Sequence, residues 1–203
     1  MTVHDMHVLT VSGSLRARSS NTEVLRALML VASPQITVTQ FEGLATLPAF
    51  NPDLDEEGMT PPASVQDLRN QVAKADALVI CSPEYAHGVP GSLKNALDWL
   101  VSVPDVLAKP VALLNASPRS THAQASLVET LRTMSMHLVP DTPWLVRLPE
   151  RGMTSAAIAA DPALAAPLQD CLTALAVAVA NSGPGRAALE DTPGLPTALV
   201  ESA

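Results

Sequence analysis

An α/β fold with a mostly parallel sheet is what this sequence predicts, and three observations predict it. Short apolar, β-branched runs alternate with segments of helical period along most of the chain. Two of those runs pass into polar loops, rich in Gly, Pro or Ser, that open helices. The length, 203 residues, suits one layered domain with a substantial buried core.

The elements follow in order. His7-Val8-Leu9-Thr10-Val11 reads as the first strand, and Thr22 to Val31 as its helix, with Val24, Leu25, Leu28 and Val31 on one face. Ile36 to Phe41 is the second strand. Pro48 to Pro62, holding Asp53, Asp55, Glu56 and Glu57, is a long surface loop, of a length that often carries function. Pro62 to Ala73 is the second helix, Ala77 to Cys81 the third strand and Pro90 to Val101 the third helix. Pro110 to Asn115 is the fourth strand, and its helix runs from about Ala123 to Met136 with Leu127, Val128, Leu131 and Met134 inward. Trp144 to Leu148 is a weaker fifth strand, and Leu164, Leu168, Cys171, Leu172, Leu175 and Val179 space out a last helix. Five βα units of this size imply a sheet with helices on both faces. The small doubly wound order 2-1-3-4-5, flavodoxin-like, is its natural form. Residues 1–181 form that domain. Residues 182–203 lack periodicity and read as a tail, either disordered or packed on a partner subunit.

Composition removes several classes of function. Hydrophobic residues are 47% and charged residues 16%, which is globular and not disordered. A net charge of −8 repels nucleic acid and anionic lipid, and 2% aromatics leave little for base stacking. The Ala-rich region 156–180 is interrupted by Asp161, Pro162, Pro167 and Asp170, so it is not expected to span a membrane. Cys81 and Cys171 have no metal-binding or CxxC spacing and read as small buried hydrophobes in a reducing compartment. With no secretory leader pattern, the cytoplasm is the expected location.

The first loop, Gly13-Ser14-Leu15-Arg16-Ala17-Arg18-Ser19-Ser20-Asn21, sits where a strand feeds a helix. Helix-terminal amides and the macrodipole favour an anion there. Hydroxyls, an amide and an arginine suit one phosphate monoester. Neither GxxxxGK[ST] nor GxGxxG follows the first strand, which argues against a P-loop and a dinucleotide fold. Ser12, Gly13 and Ser14 stand where a phosphoacceptor domain carries acidic residues, and the chain has no GxSxG nucleophile elbow. Read without the surrounding loop, the serines are helix caps.

The second loop, Pro83-Glu84-Tyr85-Ala86-His87-Gly88-Val89-Pro90-Gly91-Ser92-Leu93-Lys94-Asn95-Ala96-Leu97-Asp98-Trp99, follows the third strand. Together the two loops resemble the NADPH-dependent FMN reductase family, which includes quinone, azo-dye and chromate reductases. Gly13 to Asn21 matches that family's GS-[LT]-R-x-x-S-x-N, and Pro83 to Trp99 its PEYN-x-[ST]-x-PG-x-LKNA-[IL]-DW. Leu47-Pro48 and Asn51-Pro52-Asp53-Leu54 fit the LP…N-x-DL segment between them. The sequence departs at Ala86-His87-Gly88, and Pro118-Arg119-Ser120 replaces the usual glycines of the fourth loop.

The resemblance implies FMN as cofactor and NADPH or NADH as electron donor. It implies that Ser14, Arg16, Ser19 and Asn21 hold the FMN phosphate, with Ser20 giving its backbone amide. Pro83, Glu84, Tyr85 and Gly88 would line the isoalloxazine, largely through main-chain groups, and Ser117 in the fourth loop would border it. His87 would meet an acceptor carbonyl or stand as an exposed loop histidine. Arg119 would meet an NADPH 2′-phosphate or an anionic acceptor. Lys94, Asn95, Asp98 and Trp99 would serve helix packing and a subunit interface, while Leu93 and Leu97 are core. The implied activity is hydride transfer through FMN to a small acceptor: a quinone, flavin, azo compound or metal oxyanion. The alternative is an FMN-binding electron carrier or redox-sensing module with little NAD(P)H oxidation. The implied assembly is a homodimer or tetramer, touching through the helix after Pro90 and the segment Pro48 to Thr60. No metal site is expected.

Overall fold

The computed structural model describes residues 5–140 and 143–182. Nearly all of the expected tail, 183–203, lies outside the described residues. The elements are β1 (Met6–Ser12), α1 (Ser20–Val31), β2 (Ile36–Gln40), α2 (Ala63–Lys74), β3 (Ala77–Cys81), α3 (Gly91–Asp98), β4 (Pro110–Asn115), α4 (His122–Thr133), β5 (His137–Leu138), β6 (Trp144–Leu145), α5 (Ser155–Ala160) and α6 (Pro162–Asn181). Short 3-10 turns at Gly43–Thr46, Pro52–Leu54 and Pro104–Val106 punctuate the connections.

The sheet order is β2-β1-β3-β4-β5, every pairing is parallel, and β6 also pairs with β4. This is the expected doubly wound order. The far edge differs from the single strand expected at Trp144 to Leu148. Two two-residue strands share it, β5 beside Pro110 and Val111, β6 beside Leu114 and Asn115. With so few ladder bonds each, neither leaves a period-2 pattern to read.

Parallel strands covered on both faces become continuous apolar runs. β3 and β4 are buried at every position. Leu78, Ile80, Val111 and Leu113 face one core, shared with α2, α3 and α4 through Leu68, Leu93, Leu127 and Leu131. Ala77, Val79, Cys81, Ala112 and Leu114 face the other, shared with α1, α5 and α6 through Leu25, Leu28, Ile158 and Leu172. α6 is long and apolar enough to cross a membrane by length and composition alone. It packs Leu164, Leu168, Cys171 and Leu175 into the second core.

One buried cation helps to lock the sheet. Lys109, only 1% exposed, donates from Nζ to the carbonyl of Ala75 at the C-terminus of α2. A cation there satisfies a terminal carbonyl and opposes the negative end of the helix dipole.

Candidate functional site

The loops after β1, β3 and β4 meet at the C-terminal edge of the sheet, where an open α/β fold binds its ligand. Contacts between them are explicit. Gly13 N donates to Cys81 O at 2.9 Å. The Cys81 thiol donates to Asn21 Oδ1 at 3.3 Å, tying the start of α1 to the end of β3. Glu84 Oε2 accepts from Ala123 N at 2.9 Å, tying the β3 loop to the first turn of α4.

Gly13 is required by space. A Cβ there would lie 2.5 Å from Ser82 Oγ, 2.9 Å from Ser82 Cβ and 3.0 Å from Leu93 Cδ2. Both neighbours are buried, so the first loop passes closer to β3 than a side chain allows.

The cradle around α1 fits a phosphate by its donors. Ser19 is the N-cap, its side chain accepting from Thr22 N, while its hydroxyl proton stays available. The amides of Ser20 and Asn21, in the first turn, have no partner within the helix. Asn21 gives Oδ1 to Cys81, which leaves its Nδ2 as a donor. Ser14 Oγ accepts from Arg16 N at 3.3 Å, and Arg16 and Arg18 are exposed at the rim. Hydroxyls, amides and an arginine, with no carboxylate among residues 13–21, are an anion's donor set.

The β3 loop has a structure of its own. Tyr85 and Gly88 form an antiparallel bridge, with Tyr85 N to Gly88 O at 3.1 Å and Gly88 N to Tyr85 O at 2.9 Å. The two residues between them have positive φ, 49° at Ala86 and 59° at His87. This is a two-residue hairpin turn whose geometry favours Asn-Gly, made here from Ala-His. The amides of Tyr85 and Gly88 are each bonded to the other residue's carbonyl, whereas those of Glu84, Ala86 and His87 have no backbone partner. The Glu84 carboxylate is committed to α4. Pro83 sits at the base of the turn, half-buried, and Tyr85 is 57% exposed at its tip.

His87 is exposed and stacked on His122, ring centroids 4.3 Å apart and planes 12° from parallel. His122 carries no signal of this contact in the sequence. No local pattern joins two residues 35 positions apart. Across the site, Ser117 N donates to Asn115 Oδ1 at 2.9 Å, and Ser117 Oγ accepts from Arg119 N at 3.4 Å. Arg119 is exposed.

The rear of the second motif holds the scaffold. Asn95 Nδ2 and Trp99 Nε1 both donate to Pro48 O at 2.9 Å, and Asn95 Oδ1 accepts from Phe50 N at 2.7 Å. Phe50 meets Trp99 edge-on at 5.0 Å. Lys94 and Asp98 form an ion pair one turn apart. Cys81 and Cys171 are free and buried. Burial raises both thiol pKa values, that of Cys171 to about 12, so neither forms a thiolate at neutral pH. Among the described residues no group of His, Cys, Asp and Glu forms a metal site.

The sequence profile of the NADPH-dependent FMN reductase family matches residues 6–148. The chain belongs to that family. The FMN reductase match covers β1 to β6 and all three loops of the site. The quinone reductase of Escherichia coli K12 is 41% identical over 115 residues, 55% of this chain and 60% of that protein. An NAD(P)H-dependent FMN reductase of Pseudomonas aeruginosa is 34% identical over 138 residues, 66% of this chain and 73% of its own. The chain thus spans about 60% of the first of these relatives. Among solved structures, the flavoenzyme FerB of Paracoccus denitrificans, an NAD(P)H:(acceptor) oxidoreductase, superposes with a TM-score of 0.67. It is 27% identical, over 87% of this chain and 98% of its own. An azoreductase of Bacillus anthracis, 17% identical with a TM-score of 0.54, shares the fold.

Proposed function

We propose that this FMN reductase family member uses bound FMN to carry electrons from NADPH or NADH to a small acceptor, such as a quinone, flavin, azo compound or metal oxyanion. The observation that carries the reading is the anion cradle at α1 standing beside a rigid turn and an open β4 loop. Bound FMN would supply the hydride and electron-pair chemistry between nicotinamide and acceptor, so the protein needs little acid–base machinery. The residues present agree with that division of labour. Ser14, Arg16, Ser19, Ser20 and Asn21 bind the phosphate. Pro83, Glu84, Tyr85 and Gly88 shape the ring wall, which Ser117 completes. The stacked His87 and exposed Arg119 border the face where donor and acceptor arrive.

The activities by which the Escherichia coli and Pseudomonas aeruginosa relatives and FerB are named support the same chemistry. Buried, protonated cysteines suit a reducing cytoplasm. The segment clamped to α3 exposes Leu54 and Met59, apolar surface for a homodimer or tetramer, which light scattering tests.

The deciding experiment is an absorbance spectrum of the purified protein, then NADPH oxidation against a quinone panel. A flavin spectrum with rapid turnover is expected. A flavoprotein inert to NADPH and NADH would put the electron-carrier reading in its place. Replacing Ser14 and Arg16 together by Ala removes one neutral and one charged hydrogen bond. FMN affinity should fall by about 3 kcal/mol, roughly a hundredfold. Unchanged affinity would overturn the cradle.

A further inference from the structure

The last residue of β3 touches all three loops of the site. Cys81 O accepts from Gly13 N at 2.9 Å, and its thiol donates to Asn21 Oδ1 at 3.3 Å. The backbone N–H of Ala116, in the β4 loop, bonds to the same sulfur. Cys81 is fully buried, in one apolar core with Val79 and Leu114. A small apolar residue would fill that space as well, so packing alone does not call for a thiol. The two bonds at sulfur run in opposite directions. The Ala116 N–H takes an acceptor side, and burial raises the thiol pKa so that the proton stays on. The one S–H proton is therefore free for an acceptor, and Asn21 presents Oδ1 to it. An asparagine amide can face either way, and its partners settle which. With Oδ1 turned to Cys81, the two N–H donors of Nδ2 face the other way. Half-buried Asn21 stands in the first turn of α1, where the backbone amides lack helical partners.

We propose that Cys81 is a positioning residue for the flavin phosphate: its S–H proton holds the Asn21 amide with Nδ2 turned toward the anion cradle. The inference rests on the cradle reading above and adds to it a residue outside the first loop. An amide turned the other way would set Oδ1 against phosphate oxygens, acceptor against acceptor. One side-chain rotation thus exchanges a charge-assisted hydrogen bond for a repulsive contact. The effect belongs to the phosphate alone, because the ring lies at the β3 and β4 loops. Riboflavin, which has the ring and lacks the phosphate, should not sense it. A purely structural role for Cys81, as the joint of three loops, would weaken both flavins together.

The test titrates the flavin-stripped full chain with FMN and with riboflavin, read by flavin fluorescence, with no turnover involved. Cys81→Ala and Cys81→Val bracket the thiol's volume and lack its proton. Each should weaken FMN about tenfold and riboflavin less than about twofold, and whichever folds decides. Cys81→Ser keeps a donor proton and should hold FMN affinity within about threefold. In an Asn21→Ala background, Cys81→Ala should cost FMN less than about twofold more. In the wild type, the Asn21 side-chain NH2 resonances should move on adding FMN and stay in place with riboflavin. The proposal is overturned if FMN and riboflavin weaken together, if Cys81→Ser loses as much FMN affinity as Cys81→Ala, or if FMN leaves those resonances unmoved. A wild-type preference for FMN that survives Cys81→Ala would overturn the role of Cys81 and leave the cradle standing. Equal wild-type affinity for the two flavins would overturn the cradle itself, and this role with it.

Discussion

Between Pro90 and Trp99 the chain buries Leu93, Ala96, Leu97 and Trp99 and gives both polar ends of Asn95 a partner. Between Pro83 and Gly88, a few residues earlier, two L-residues stand at positive φ and a tyrosine projects 57% exposed. One segment thus contains a satisfied clamp and a strained tip. The clamp fixes where the tip stands, and the tip is tied to α4 by Glu84 and by the His87–His122 stack. Strain of this kind persists only where its surroundings over-determine it.

Breaking the clamp gives the largest effect. Trp99→Ala removes a fully buried indole, the edge contact with Phe50 and one of two donors to Pro48 O. The loss should be about 4 kcal/mol, read by urea denaturation. Asn95→Ala strands Phe50 N and leaves Pro48 O with Trp99 alone, for about 2 kcal/mol. If both losses stayed below about 0.5 kcal/mol, α3 would not be the clamp.

Asp55 fastens the same 48–55 segment farther along. It accepts from Arg69 Nη2 at 2.7 Å and from Ser102 Oγ at 2.6 Å, while Arg69 also donates to Trp99 O. Burial alone would raise the Asp55 carboxyl. The Ser102 hydrogen bond and the Arg69 charge outweigh it and hold the pKa below its ordinary 3.8. A depressed carboxylate contributes stability above its unfolded pKa and loses it as pH falls through the folded value. Asp55→Asn should therefore cost about 1.5 kcal/mol at pH 7, and the difference from wild type should close below pH ~4. A gap that stayed constant down to pH ~2 would remove the carboxylate from the argument.

The strands β1 to β4 and the first loop are legible in the sequence because their causes are local, whereas the two-residue strands β5 and β6 at the far edge are too short to leave a pattern. β3 and β4 bury both faces, so each is one unbroken apolar run. Ser19 caps the helix that begins at the next residue. What escapes is set by contacts distant along the chain. Gln124 has a helical period that says nothing of its unpartnered amide, and nothing local to Lys109 announces the Ala75 carbonyl that α2 delivers to it. The turn at Ala86-His87 escapes for the opposite reason, since it lacks the Asn or Gly that announces positive φ.

That missing residue makes the tip the sharper half of the comparison. An alanine at positive φ costs roughly 1 kcal/mol, and asparagine tolerates the same backbone through its short polar side chain. Ala86→Asn should therefore stabilise the protein by about 0.5–1 kcal/mol, a gain of the opposite sign from every clamp variant. Because the Tyr85–Gly88 bridge already sets the turn, the backbone need not move and FMN affinity should change less than threefold. A loss of stability in Ala86→Asn would mean that the positive φ at Ala86 is not strain but is matched by a contact the methyl group itself makes. The tip would then be a second clamp, and the contrast between the halves would disappear.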